Sequence, residues 1–170
     1  MREDLAAGVG VEPALAGHCR LRVDSKQTED ASPEAGTTSD VSDQPGSHPL
    51  RVAIVDDRRE VRALLRELLT LETSAIVVAE AEDGQGAAQV AAESQAELVI
   101  MDYQMPHVDG VEATRRVKSA SPSTHVVAFS SAADDAVAFA FAAAGASAYF
   151  DKTQVDELLA HIRSLSVDRE

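Results

Sequence analysis

From Leu50 onward, short apolar runs alternate with segments whose apolar residues recur every three or four positions. The runs Arg51–Val55, Ile76–Glu80, Leu98–Met101, His125–Phe129 and Ala148–Phe150 have the length and β-branched content of strands. Arg58–Leu71, Gln85–Glu93, Val111–Ser119, Ala132–Ala144 and Val155–Leu165 read as helices. In the first of these, Val61, Leu64, Leu65, Leu68 and Leu69 form an apolar stripe beside a charged face. Asp57 with Glu60, Asp109 with Glu112, Ser131 with Asp134 and Thr153 with Asp156 are spaced as capping boxes or their acidic variants. Gly145 is the expected C-cap of the fourth helix. Phe139 and Phe141 are two positions apart, so their side chains point about 200° apart and one face cannot bury both. Counting back from Gly145 predicts Ala138, Phe139 and Ala142 inward, and Phe141 with Val137 outward near Tyr149.

Five strand–helix units with short connections imply an α/β fold: a parallel sheet covered on both faces. The first 48 residues break this pattern. They carry more acidic than basic residues, no aromatic residue, and a Ser/Thr/Asp/Gly-rich stretch from Thr28 to Ser47. Such a segment buries too little to offset its ordering entropy, so residues 1–48 are expected to form a disordered acidic tail, with at most a short element around Leu15–Val23. Residues 49–170 are then the folded domain.

Composition narrows the function classes. With 45% hydrophobic residues the chain has enough material for a core, but only 4% are aromatic, so Ala, Val and Leu must fill it. A formal charge of −14 argues against direct nucleic-acid binding, which needs a basic face. The single cysteine, Cys19, excludes an intramolecular disulfide and a cysteine metal site. The N-terminus has no secretory pattern and no run approaches membrane-spanning length, so a cytoplasmic protein is expected.

In open parallel sheets, ligands gather at the carboxyl ends of the strands. There the first strand delivers Asp56 and Asp57, the third Asp102, the fourth Ser130, and the fifth runs into Lys152. Singly, Asp57 reads as an N-cap, Ser130 as a turn residue and Lys152 as a solvated lysine. Together they mean more, because three carboxylates in one crevice repel one another and call for a positive charge among them. A hard divalent cation suits such oxygen donors, Mg²⁺ best, and Mn²⁺ would satisfy the same ligands.

Val52–Asp57 (VAIVDD), Ile100–Gly110 (IMDYQMPHVDG), Phe129-Ser130 and Gly145–Lys152 (GASAYFDK) resemble bacterial two-component response-regulator receiver domains across about residues 50–166. The resemblance implies a flavodoxin-like (βα)5 three-layer sandwich with strand order 2-1-3-4-5. It also implies phosphorylation by a sensor histidine kinase or phosphotransfer protein. Carried over by residue, Asp102 is the phosphoacceptor. Asp56, Asp57, Asp102 and the backbone carbonyl of Gln104 hold the metal, Ser130 and Lys152 contact the phosphoryl group, and Ser130 and Tyr149 form the switch. Thr153 stands where many receivers have proline, and Ser130 where threonine is commoner.

The chemistry agrees with those roles. A carboxylate is a competent nucleophile toward phosphorus, and the step depends on positioning and cation placement. The chain would therefore assist its own modification without being a conventional enzyme. A flavin site is rejected, because Asp56-Asp57-Arg58-Arg59-Glu60 offers no glycine loop for a phosphate. The five histidines show no metal-ligand spacing, and His107 reads as a surface-loop residue. Arg58, Arg59, Arg62 and Arg66 read as a solvated face paired with Glu60 and Glu67. Val78–Gly84 and Val111–Arg116 look like the receiver branch fused to helix-turn-helix domains, yet only 18 residues follow Lys152. A stand-alone receiver acting through an unidentified output protein is the expectation, with a second copy of the chain as a candidate partner. The alternatives are a fragment of a DNA-binding regulator and a non-phosphorylated scaffold. The output surface is expected on the fourth helix, fifth strand and fifth helix.

Overall fold

The computed structural model describes residues 48–132 and 134–167. The expected acidic tail, and the element around Leu15–Val23, lie outside the described residues. Within them, five strands alternate with five helices: β1 (Arg51–Val55), α1 (Arg59–Glu72), β2 (Ile76–Ala81), α2 (Ala87–Glu93), β3 (Leu98–Met101), α3 (Gly110–Ala120), β4 (His125–Ser130), α4 (Asp135–Ala144), β5 (Ala148–Asp151) and α5 (Val155–Val167). All strand pairs are parallel, in the order β2-β1-β3-β4-β5 that the resemblance implies. No helix among the described residues is long and apolar enough to cross a membrane.

Strand alternation divides the core in two. Val52, Ile54, Leu98, Ile100, Val127 and Phe129 face α1 and α5, where Leu65, Leu69, Leu158 and Ile162 meet them. Ala53, Val55, Val99, Met101, Val126 and Ala128 face α2, α3 and α4. Leu65 and Leu69 come from the α1 stripe, and each contributes about 1.5–3 kcal/mol by full burial. Leu64 of the same stripe is exposed.

Helix α4 corrects the expected register. Phe141 is fully buried and Phe139 is 76% exposed. Val137 and Ala144 share the inward face with Phe141, whereas Ala142 is exposed. The cap explains the reversal. Gly145 has φ 102°, its amide bonds the Ala142 carbonyl, and the Ala146 amide bonds the Phe141 carbonyl, each at 3.0 Å. That is a Schellman motif, in which the residue three from the helix end packs against the residue two beyond it. Here those are Phe141 and Ala146, both on the same core.

Three caps are also corrected. Asp109 caps α3 by accepting from the Glu112 amide at 2.8 Å, as expected. Helix α1, however, is entered through Arg58 rather than Asp57, and Asp56 accepts the Arg58 amide at 2.9 Å. Helix α4 starts later than expected, with Asp134 in place of Ser131 as cap. Before α5, the Leu158 amide bonds the Gln154 carbonyl, and the Thr153 hydroxyl bonds Asp151 instead of capping.

Candidate functional site

The ladder carries each polar residue just past its strand end. The Asp56 amide bonds the Ala81 carbonyl at 3.1 Å, the Asp102 amide the Val55 carbonyl at 2.9 Å, and the Lys152 amide the Ser130 carbonyl at 3.0 Å. Asp56, Asp102 and Ser130 are buried and Asp57 is exposed. Carboxylate oxygens of Asp56, Asp57 and Asp102 lie within 4.8 Å of one another. The Lys152 ammonium reaches over β4 and β3 to both buried carboxylates, at 2.7 Å from Asp56 Oδ2 and 3.1 Å from Asp102 Oδ1. Asp56 thus spends one oxygen on Lys152 and the other on the Arg58 amide. Asp57, freed from capping, keeps its carboxylate outside that network.

Burial pushes the Asp102 carboxyl above the usual range; Lys152 opposes the rise and Asp56 adds to it. A carboxylate taken out of water beside an ammonium is a more basic, less hydrated oxygen nucleophile than a surface aspartate. Three oxygen donors around partly uncompensated negative charge fit a hard divalent cation, and sulfur or imidazole ligands play no part. Gln104 lies two residues beyond Asp102 in the exposed β3–α3 connection.

That connection is tightly built. His107 is exposed, as expected, but has φ 67°, and the Val108 amide bonds the Pro106 carbonyl at 2.7 Å, making a γ-turn. Gly110 starts α3 against the site: a β-carbon there would sit 1.9 Å from the Asp102 carbonyl oxygen and 2.9 Å from Phe141 Cζ. Only glycine allows α3 to come so close to the end of β3.

The opposite rim is aromatic. The Phe141 ring lies 6.1 Å from Tyr103, the residue after Asp102, and 6.0 Å from Tyr149. The Tyr149 hydroxyl donates to the Ala132 carbonyl, and the Ala132 amide donates to Ser130 Oγ at 3.2 Å. Burial raises the Tyr149 pKa, countered by a hydrogen bond with the Ser130 hydroxyl. The expected residues therefore converge: Asp56, Asp57, Asp102 and Lys152 form one cluster, and Ser130 and Tyr149 share one loop network.

Sequence reasoning missed the arginines. Arg62 and Arg66 pair with Glu80 on β2 rather than with Glu60 and Glu67, and Arg62 also bonds the Asp56 carbonyl. No within-helix spacing signals a contact 18 residues away.

Residues 52–163 match the family model for the response regulator receiver domain. The chain belongs to that family. This receiver is 34% identical over 116 residues to an uncharacterized transcriptional regulatory protein of Bacillus subtilis (strain 168), covering 68% of this chain and 53% of that one. It is 39% identical over 112 residues to a two-component response regulator of Oryza sativa subsp. japonica, covering 65% and 88% respectively. Among solved structures, a LuxR-family two-component response regulator from Aurantimonas sp. SI85-9A1 superposes with TM-score 0.66 at 31% identity, covering 72% of this chain and 89% of that one. The receiver spans about half the length, or less, of the bacterial relatives it matches.

Proposed function

We propose that this receiver takes a phosphoryl group on Asp102 from a phosphohistidine of a sensor histidine kinase or phosphotransfer protein, in a Mg²⁺-dependent step, and signals through a phosphorylation-sensitive protein surface. The observation that carries the reading is Lys152 Nζ paired with both Asp56 and Asp102, the two buried members of the acidic trio. An Asp102 oxygen attacks phosphorus, the phosphorus–nitrogen bond of the donor breaks, and its electron pair leaves on the imidazole. The product is an acyl phosphate. Asp56, Asp57, Asp102 and the Gln104 carbonyl are the residues that would hold Mg²⁺, which when bound neutralises the phosphoryl oxygens. Lys152 turns from the two carboxylates to a phosphoryl oxygen, and the Ser130 hydroxyl donates a hydrogen bond to another.

Calling on Ser130 in this way draws its hydroxyl from the Ala132 amide, whose residue also holds the Tyr149 hydroxyl, which is how the site would report to α4 and β5. Phe139, exposed between Ala136 and Ala143 with Asp135 one turn before it, offers the apolar contact for an output partner. A second reading, the receiver portion of a longer transcriptional regulator, is favoured by the B. subtilis relative and its greater length.

Incubation with acetyl phosphate and Mg²⁺ should add one phosphoryl group by intact-protein mass spectrometry, and Asp102→Asn or EDTA should abolish it. Full labelling of Asp102→Asn, or labelling unaffected by EDTA, sinks the reading.

A further inference from the structure

Arg62 lies one turn into α1, yet its side chain is only 14% exposed. Its Nη1 donates to the Asp56 carbonyl at 2.8 Å and its Nε to Glu80 Oε2 at 3.1 Å. Glu80 is itself held by a second cation, Arg66, on the next turn of the same helix. The fork of one guanidinium thus ties α1, β2 and the end of β1 together at one point.

The carbonyl it grips belongs to the peptide joining Asp56 to Asp57. Every other polar atom of Asp56 is already engaged, by the Ala81 carbonyl, the Arg58 amide and Lys152. Asp57 differs: it is exposed and caps nothing, so no such set of bonds aims its carboxylate. A peptide unit is planar, so fixing the Asp56 oxygen fixes the Asp57 nitrogen and narrows the directions open to its side chain.

We infer that Arg62, braced by Glu80, is a positioning residue for the cation: it sets the Asp56–Asp57 peptide plane and thereby aims the Asp57 carboxylate into the acidic trio. The inference rests on the reading that the trio holds Mg²⁺. Its sign separates it from plain electrostatics. A guanidinium beside three carboxylates repels a divalent cation, so removing the charge alone would tighten Mg²⁺ binding. Removing a brace loosens it.

Calorimetric titration of the full chain with MgCl₂ tests this, with melting temperature in EDTA recorded for each variant. Arg62→Gln should weaken Mg²⁺ affinity by about 10-fold or more, the usual cost of losing a group that orients a ligand. Arg62→Lys should do the same, because an ammonium keeps the charge but not the fork, and it covers the case in which the glutamine variant does not fold. Arg66→Gln, which loses the Glu80 pairing without touching Asp56, should stay within about twofold of wild type, since it leaves the ligand's brace in place. Phosphorylation by acetyl phosphate should recover in the Arg62 variants at saturating Mg²⁺. Affinity unchanged or increased in either folded Arg62 variant overturns the inference, as does an equal loss in Arg66→Gln. If wild type and Asp57→Ala bind Mg²⁺ alike, the cation reading itself fails and takes this one with it.

Discussion

On the α1–α5 face the sheet and its helices meet through Ile54, Leu65, Leu69, Leu98, Ile100 and Leu158, all large and all buried. On the α2–α3–α4 face Ala53, Ala87, Ala91, Ala113, Ala128 and Ala144 stand among Val55, Val99, Met101 and Val126, and Phe141 is the fully buried ring, with Tyr103 and Tyr149 partly buried beside it. Small residues leave room on the second face for a large ring, and Phe141 takes it. The second face carries the largest fully buried side chain among the described residues, Phe141. That ring also couples packing to the candidate site, because Phe141 touches Tyr103 beside Asp102, Tyr149, and the close approach at Gly110.

The sharpest test of that contrast is Phe141→Ala, which should cost about 3–5 kcal/mol of unfolding free energy in urea. Leu69→Ala should cost about 2–5 kcal/mol, with phosphorylation of the folded fraction unaffected, whereas Phe141→Ala should slow it. A larger loss for Leu69→Ala, or normal labelling of Phe141→Ala, would show that the two faces do not differ in this way.

Gly110→Ala comes next. Its β-carbon meets backbone rather than a movable side-chain end, so it should cost about 1–3 kcal/mol at least and lower the phosphorylation rate. An alanine variant with wild-type stability and rate would mean that α3 can back away from β3.

The α1–α5 face has its own weak point, His161, whose buried Nε2 finds no partner and whose ring packs on Phe150 at 5.6 Å. Burial, with the His125 charge second, holds its pKa below the ordinary value. The unfolded chain then binds a proton that the folded one refuses, so stability is present above about pH 6.5 and is lost as pH falls through the lower folded value. Thermal melts of His161→Phe should show a smaller loss between pH 7.5 and pH 5.5 (chosen buffers) than wild type, and an equal loss would place the acid sensitivity elsewhere. Smallest of all should be Phe139→Ala, within about 0.5 kcal/mol, because its ring is in solvent.

Much of this layout was legible in the sequence. The β1 and β3 bounds match the apolar runs, and the polar residues at the strand ends converge as their positions required. Period-2 burial on two faces is a strong local signal, and carboxylates after consecutive inner strands have nowhere else to go. Helix α4 was not legible by the same means. DAVAFAFAAA is apolar nearly all round, so the pattern of apolar and polar positions names no inward face. The Schellman contact between Phe141 and Ala146 held that information. The Arg62–Glu80 pair escaped because it joins a helix to a strand, where no sequence period applies.

Asp56 and Lys152 are 96 positions apart, yet their ion pair lies within the acidic cluster at the strand ends. Closing so long a loop is entropically slow, and the contact requires β1, β3, β4 and β5 to have been laid side by side first. A chain still lacking its last strand would have the acidic trio without its ammonium. On the proposed reading, competence to be phosphorylated arrives only with the final strand, and labelling with acetyl phosphate during refolding would time that last step directly.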